Sequence, residues 1–324
     1  MSLETLSVLD RRRLKRHLSM WRILAVLAAL IAAGSFAFAQ VGEAGFGEKD
    51  QIARVSIVGL ITEDRAQLRM FRKIADDSHV KALLLYVNSP GGTTTGGEAL
   101  FEALRAVAKK KPVVAQFGTV AASAAYIAGL ATDHIVARGN SITGSVGVLF
   151  QWAEVSELLG KLGVKFNEIK SGTVKAEPSL FKPITPEGRK IVEDMIADSK
   201  KWFLSLVSKR RKINTKDVPD LEQGRIFSGR EALHYKLVDE IGGEDAAIKW
   251  LETKAEQKVE AGLEVKDWKP ARESQWGWMR LSMSALRLVL GGNSSGLAGL
   301  VQRAGNSSMI PLDGLVSVWH PAEN

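Results

Sequence analysis

From residue 53 the chain alternates short apolar runs with stretches whose apolar residues recur every three or four positions. Val55–Val58 reads as a strand, and Leu68, Phe71, Ile74 and Ala75 then mark one face of a helix. Ala82–Val87 is an almost unbroken apolar run, the pattern of a strand covered on both faces. Leu100, Ala103, Leu104 and Val107 predict the next helix, with Lys109–Lys111 suiting its negative end and Pro112 closing it. Val113–Phe117 predicts a strand, the alanine-rich stretch 121–131 a helix, and Ile135–Ala137 a further short strand.

Further along, Val155, Leu158, Leu159 and Leu162 predict a helix and Val164–Ile169 a strand. Thr185-Pro186-Glu187 supplies an N-cap, a proline at the first helical position and an acid in the first turn. A long helix is expected from there to about Lys209, and residues 225–248 predict a helix and a turn. Repeated strand–helix–strand units imply an α/β fold with a mainly parallel sheet and helices on its faces. In such a sheet Leu83, Leu85, Val87, Val114, Ala115 and Ile135 belong to the core.

The two ends differ from this middle. Residues 1–22 carry Arg11, Arg12, Arg13, Lys15, Arg16 and Arg22, and an apolar run, Ile23–Ala39, follows at once. That run is near the lower limit for a transmembrane helix, and its basic N-terminal flank predicts a cytoplasmic N-terminus with the rest of the chain outside. The rival reading is a cleavable signal peptide ending at Ala37-Phe38-Ala39. With the anchor 23–39 retained, residues 40–52 would be a short stalk, 53–250 the main domain, and 251–324 a C-terminal extension. Within that extension, 276–290 is apolar but contains Arg280 and Arg287, which suits an interfacial helix or a helix packed on the domain or a partner subunit. Residues 291–308 are rich in Gly and Ser, the composition of a flexible linker.

Composition removes several classes of chemistry. The chain has 324 residues, 45% hydrophobic and 25% charged, enough to bury a sizeable core. It has no cysteine, which excludes a thiol nucleophile, disulfides and thiolate metal sites. The five histidines are scattered without metal-ligand spacing, so no metal site is expected. Lys+Arg 44 against Asp+Glu 36 gives +8, but part of that excess sits at the N-terminus. The basic residues Lys209–Lys212 suit a solvated helix end, so no nucleic-acid partner is expected.

Three stretches could carry chemistry. Asn88-Ser89-Pro90-Gly91-Gly92 follows a strand, where sites form in parallel sheets. It lacks the spacing of a nucleotide loop, and can either make a tight turn or aim backbone N–H groups at an oxyanion. Thr119–Tyr126 contains Ser123 flanked by alanines at a helix start, where small neighbours let a substrate approach. A helix packed closely on a sheet would look the same. Lys170–Pro178 offers a lysine, which can replace histidine as the base for a serine if burial lowers its pKa.

Five motifs in order, NSPGG (88–92), AASAAY (121–126), TGSVGV (143–148), KSGTVK (170–175) and GRIFSGREALHYKLVDEIGG (224–243), resemble the signal peptide peptidases of the protease IV type. The resemblance covers roughly residues 53–248. It implies a Clp protease/crotonase-like βαβ superhelix behind an N-terminal transmembrane helix, and a serine endopeptidase that needs no cofactor. By the same resemblance Ser123 matches the nucleophile, Lys175 the general base and Ser145 a serine that orients the lysine, while Lys170 matches nothing. Backbone N–H groups of Gly91 or Gly92 and of Ala124 would form the oxyanion hole. Two positions depart from the pattern: Ala124-Ala125 stand where glycine often follows the nucleophile, and Ala176 where an acid often follows the base.

The implied substrates are released signal peptides, cut at the periplasmic side of a bacterial inner membrane by a single-pass enzyme. The alternatives are an inactive membrane scaffold and a crotonase-type acyl-CoA enzyme; against the latter, no acid stands beside Ser123 within 119–126. The resemblance also implies a ring-shaped homo-oligomer in which neighbouring subunits share the dyad. Pro178 and Pro183 bound a segment that reads as an extended arm, able to carry Lys175 across a subunit boundary.

Overall fold

The computed structural model describes residues 20–22, 26, 49–271 and 316–318. The predicted spanning segment 23–39, the Ala39 cleavage site and the stretches 276–290 and 291–308 therefore lie almost wholly outside the described residues. No helix among the described residues is long and apolar enough to cross a membrane.

The main sheet is built from β1 (Gln51–Val58), β2 (Val80–Ser89), β4 (Val113–Ala122), β5 (His134–Ala137), β6 (Ile142–Gly144), β7 (Ile226–Ser228), β8 (Glu240–Ile241) and β9 (Glu264–Asp267). Its order is β7-β6-β4-β2-β1-β9, with β5 also on β4 and β8 on β5. Every pairing is parallel except β6 with β7. β9 was not foreseen: the charged stretch after residue 251 contributes an edge strand beside β1. A short strand β3 (Gly91–Thr93) leaves the end of β2.

Alternation along β2 explains the layering. Leu83, Leu85 and Val87 join one apolar cluster with helices α1 (Arg65–Asp76), α2 (Thr94–Ala108) and α3 (Ala124–Leu130). Ala82 and Leu84 point the other way, into a second cluster with Ala247 and Leu251 of α7 (Glu244–Thr253). All six core residues expected from the sequence, Leu83, Leu85, Val87, Val114, Ala115 and Ile135, are buried. Helix starts follow the caps: Asp64 accepts from the amides of Ala66 and Gln67, and Thr93 from that of Gly96. Thr185 opens α5 (Pro186–Arg211), the long helix its proline signalled.

Three expectations need correction. β4 continues to Ala122, so the first residues of the supposed helix 121–131 are strand, because β6 pairs with Val120–Ala122 after β5 has ended. Val164–Ile169 forms no strand: it has no neighbouring strand to complete a ladder, and Val164, Phe166 and Ile169 are exposed. The segment from Gly172 is not extended throughout, since Thr173–Ala176 make a turn closed by the Lys175 amide donating to the Gly172 carbonyl (3.2 Å). Before it, α4 (Ser156–Lys161) forms where a helix was predicted, yet buries none of its residues.

Candidate active site

Ser123 is the single residue between β4 and α3. Its backbone, φ 61° and ψ −123°, lies outside the regions that L-residues normally occupy. A strand that turns straight into a helix through one strained serine is the geometry of a nucleophile elbow, which lifts the side chain clear of the sheet. The surroundings hold that conformation. The Ser123 amide donates to the Gly144 carbonyl at 2.9 Å, and its own carbonyl accepts from Ile127 to start the helix. One residue earlier on β6, the Thr143 hydroxyl donates to the Ala121 carbonyl at 2.7 Å. Where the β2–β4 register shifts, the Asn88 side-chain carbonyl accepts from the Val120 amide at 3.1 Å.

Gly144 and Ser145 both have positive φ, 87° and 53°, so the chain leaves β6 in a tight reversal, and the Ser145 amide donates to the Arg225 carbonyl. A Cβ on Gly144 would sit 2.7 Å from the Phe227 ring and 2.9 Å from the Arg225 carbonyl oxygen. The downstream motif therefore braces the loop behind Ser123. Its Ser228 and Glu231 form a capping box at the start of α6 (Gly229–His234). Tyr126 serves the same frame: it is buried, its hydroxyl donates to the Leu237 carbonyl at 2.8 Å, and burial raises its pKa above the usual phenol range.

The NSPGG turn lies alongside. The Gly91 amide donates to the Ser89 hydroxyl at 3.1 Å. The Gly91 carbonyl accepts from Ile61 (2.9 Å), and Thr93 donates back to the Ile61 carbonyl (2.8 Å). Groups of successive residues in an extended strand alternate between its edges, so the Gly92 amide faces away from Ile61. Glycine is required there: a Cβ would stand 1.8 Å from the Ile61 oxygen. Ala124 is the first residue of α3, where a helical amide has no intrahelical acceptor. The Gly97 position of α2 packs against it, a Cβ there falling 3.2 Å from that of Ala124.

Lys175 belongs to a different environment. It is exposed, and among the described residues its side chain makes no hydrogen bond or ion pair. Ser123, by contrast, is buried. Lys170 is tied to Glu168 (3.0 Å) and Glu177 (3.1 Å), and these bonds, Glu168 first, hold its ammonium above the ordinary lysine range. A lysine so held favours the protonated form, the opposite of what a base requires. The structure thus gathers Ser123, Gly144, Ser145 and the Arg225 carbonyl in one frame, and among the described residues no hydrogen bond or ion pair ties the Lys175 side chain to it. Asn88, Ser89 and Thr143 carry supporting roles that the sequence motifs contained but did not reveal. No group of His, Asp and Glu among the described residues could hold a metal ion.

The sheet, the elbow and its bracing define a Clp-type α/β protein, and residues 54–139 match the Clp protease family model. Residues 105–258 match that of peptidase family S49. The Synechocystis sp. protein slr0021, whose name designates it a protease, is 35% identical over 208 residues, covering 64% of this chain and 75% of its own. MJ0651 of Methanocaldococcus jannaschii, named likewise, is 36% identical over 214 residues, covering 64% and 69%. A protein named for signal peptide peptidase SppA in Enterococcus faecium is 34% identical over 193 residues, covering 59% and 56%. The chain belongs to peptidase family S49, a family of serine proteases. The acyl-CoA alternative gains no support from these relatives.

Proposed function

We propose that this chain is a membrane-anchored endopeptidase that cleaves released signal peptides at the periplasmic face of a bacterial inner membrane. The observation that carries the proposal is the strained elbow at Ser123, φ 61°, between β4 and α3. Ser123 attacks the peptide carbonyl, and the neutral amine of Lys175 takes its proton. The lysine then gives that proton to the leaving amine, and water releases the acyl-enzyme. The oxyanion is held by the backbone N–H groups of Gly92 and Ala124. Gly91 is the weaker candidate because its amide already bonds Ser89. Ser145 orients the lysine. The apolar run 23–39 tethers the domain where apolar peptides are released.

The base comes from a neighbouring subunit in a ring. Lys175 is exposed within its own chain, on an arm that also exposes Val164, Phe166, Ile169 and Val174. Docking that arm on a second copy would desolvate the lysine and lower its pKa, as a base needs.

Two inactive chains test this. Ser123→Ala and Lys175→Ala should each lose at least ~10³-fold in peptidase rate. Co-assembled in equal amounts, they should recover roughly a quarter of the wild-type rate, because random neighbours complete that share of sites in a closed ring. A mixture as dead as its parts would place the dyad within single chains. Normal cleavage by either variant alone would reject the dyad.

A further inference from the structure

A cavity of about 380 Å³ opens at the start of α7, lined by residues that include Tyr86, Gln116, Arg138, Asn140, Ser141 and Glu244. Side chains alternate across a strand, so Tyr86 and Gln116 share the face of Leu84 and Val114, which α7 covers and α3 does not. Gln116 is only 4% exposed. Its side-chain amide donates to the Phe117 carbonyl at 2.7 Å, and among the described residues its oxygen accepts nothing. That oxygen is not sealed in the core, where the unpaired side-chain atom among the described residues is Gln51 Oε1. It is an acceptor offered to the cavity. Tyr86 lies across Gly118, where a Cβ would stand 2.7 Å from the phenol oxygen. That hydroxyl also has no partner among the described residues. Arg138 brings its guanidinium beside Gly243, 3.3 Å from where a Cβ there would be, and makes no ion pair among the described residues. The other polar groups are engaged: Glu244 with Arg54 (2.7 Å), the Asn140 oxygen with Arg230 (2.6 Å) and the Ser141 hydroxyl with the Gly118 carbonyl.

We propose that this cavity binds the carboxyl-terminal residue of a short peptide, its carboxylate on Arg138 and its amide N–H on the Gln116 oxygen. A guanidinium without a counter-ion offers a carboxylate a fork of charge-assisted hydrogen bonds. The start of α7 adds to it, because Gly243 caps that helix without a side chain and leaves its first amides to other acceptors. These cationic features alone would suit any anion. The Gln116 oxygen narrows the class, because it demands a donor on the same ligand. Phosphate carries little but acceptors, and would set its charge against that oxygen and beside the Glu244 carboxylate. The last residue of a peptide carries both groups, carboxylate and N–H, on one α-carbon. The Tyr86 hydroxyl can serve either of them, since it donates and accepts. The volume lies in the range of small-molecule sites, and capture of a chain terminus is a recurrent mode of peptide recognition. On the peptidase reading such termini are what cleavage releases, but the site does not contain Ser123 and stands without that reading.

The experiment titrates N-acetyl-Ala-Leu, as the free acid, into the full chain carrying Ser123→Ala, with calorimetry as the readout. The same peptide with an amidated C-terminus should bind about tenfold more weakly or worse, the cost of a lost charge-assisted bond. Inorganic phosphate at the same concentration should not displace the acid. Arg138→Gln, at an exposed position that the fold does not need, should also weaken the acid about tenfold or more. Tyr86→Phe should weaken it about threefold. Hydrogen exchange locates the ligand: the acid should slow the amides of residues 138–141 and 244–246 and leave Gly92 unchanged. No binding, equal binding of acid and amide, or binding indifferent to Arg138→Gln would overturn the proposal. Displacement by phosphate would make the cavity a general anion site, and protection confined to Gly92 would put the peptide at the elbow; either result also overturns it. None of these failures touches the reading of Ser123. Conversely, a wild-type chain that cleaves nothing yet binds the acid at Arg138 would reject the peptidase reading and keep this site.

Discussion

Ala121–Leu130 and the segment 150–183 carry the two proposed reacting groups, and they are built in opposite ways. In the first, every residue is buried, and the turn at Ser123 is fixed by the Gly144 carbonyl and by the Thr143 and Asn88 side chains, all bonded to the main chain of residues 120–123. In the second, one six-residue helix buries nothing, and Leu158, Leu162, Val164, Phe166, Ile169, Val174 and Leu180 are exposed. Its internal order comes from the Phe166–Phe181 stack, ring centroids 4.2 Å apart, and from the ion pairs of Lys170 and Lys182 with Glu168. A strained elbow persists because its surroundings over-determine it. An arm with that much apolar surface in water is instead the pattern of an unfilled interface. The difference teaches that the nucleophile's geometry is fixed within one chain, whereas the environment of the proposed base would, on the shared-site reading, be completed by a neighbouring copy.

The strongest way to break the built half is Gly92→Ala. Its Cβ would collide with the Ile61 backbone at 1.8 Å, so β3 must shift and take its amide with it. Peptidase rate should fall about 10²-fold or more, the usual cost of losing an oxyanion donor. Rate measured on correctly assembled protein checks it; wild-type kinetics would remove Gly92 from the oxyanion hole.

Next in size is Ile169→Glu on the arm. Ile169 is fully exposed within the chain, so a charge there should leave the thermal midpoint of the monomeric domain unmoved. The same charge buried in an interface is costly, so the assembly should dissociate and activity fall about tenfold or more at low protein concentration. Sedimentation and activity on one dilution series separate the two effects. An intact, active assembly would show that this part of the arm faces solvent.

A smaller effect is expected from Thr143→Val, which keeps the shape and removes the hydroxyl bond to the Ala121 carbonyl. Stability should fall by about 1–2 kcal/mol, the cost of a buried acceptor left unpaired. If the elbow matters as argued, kcat should fall further than KM changes. Chemical denaturation and steady-state kinetics on the same sample test both.

The same contrast explains what the sequence disclosed. The buried strands were legible because hydrophobic period and burial coincide: the β2 run Ala82–Val87 feeds two cores at once. Ser123 at a helix start was legible from its small neighbours. The strand at Val164–Ile169 was misread because a β-rich apolar run carries the same signal whether it is paired inside a chain or waiting at its surface. β4 was read as ending at Phe117 because its last residues are small and resemble the helix that follows. The bracing by Asn88 and Thr143 was illegible, since hydrogen bonds between distant polar side chains and main chain leave no periodic trace. The antiparallel pairing of residues 316–318 with β3 was equally hidden, because the two segments are far apart in sequence.

The smallest effect concerns pH and falls entirely on the built half. His134 on β5 stacks on Trp250, ring centroids 4.7 Å apart, with Glu240 at 3.3 Å and Asp239 at 3.9 Å. Burial lowers its pKa below 6.5, and the two acids oppose that shift without cancelling it. The folded state therefore takes up a proton at lower pH than the unfolded state does. Stability is fully present above pH 6.5 and is lost as pH falls from there through the lower folded value. The thermal midpoint should thus drop as pH falls below 6.5, and His134→Gln should flatten that part of the curve. Glu168→Gln, which removes a carboxylate from the arm, should leave this part of the curve unchanged, since bonds to Lys182 and then Lys170 hold the Glu168 carboxyl below the ordinary range and keep it ionised there. A slope that disappears with Glu168→Gln and survives His134→Gln would assign the pH response to the arm, and would mean that the arm is integral to the folded unit.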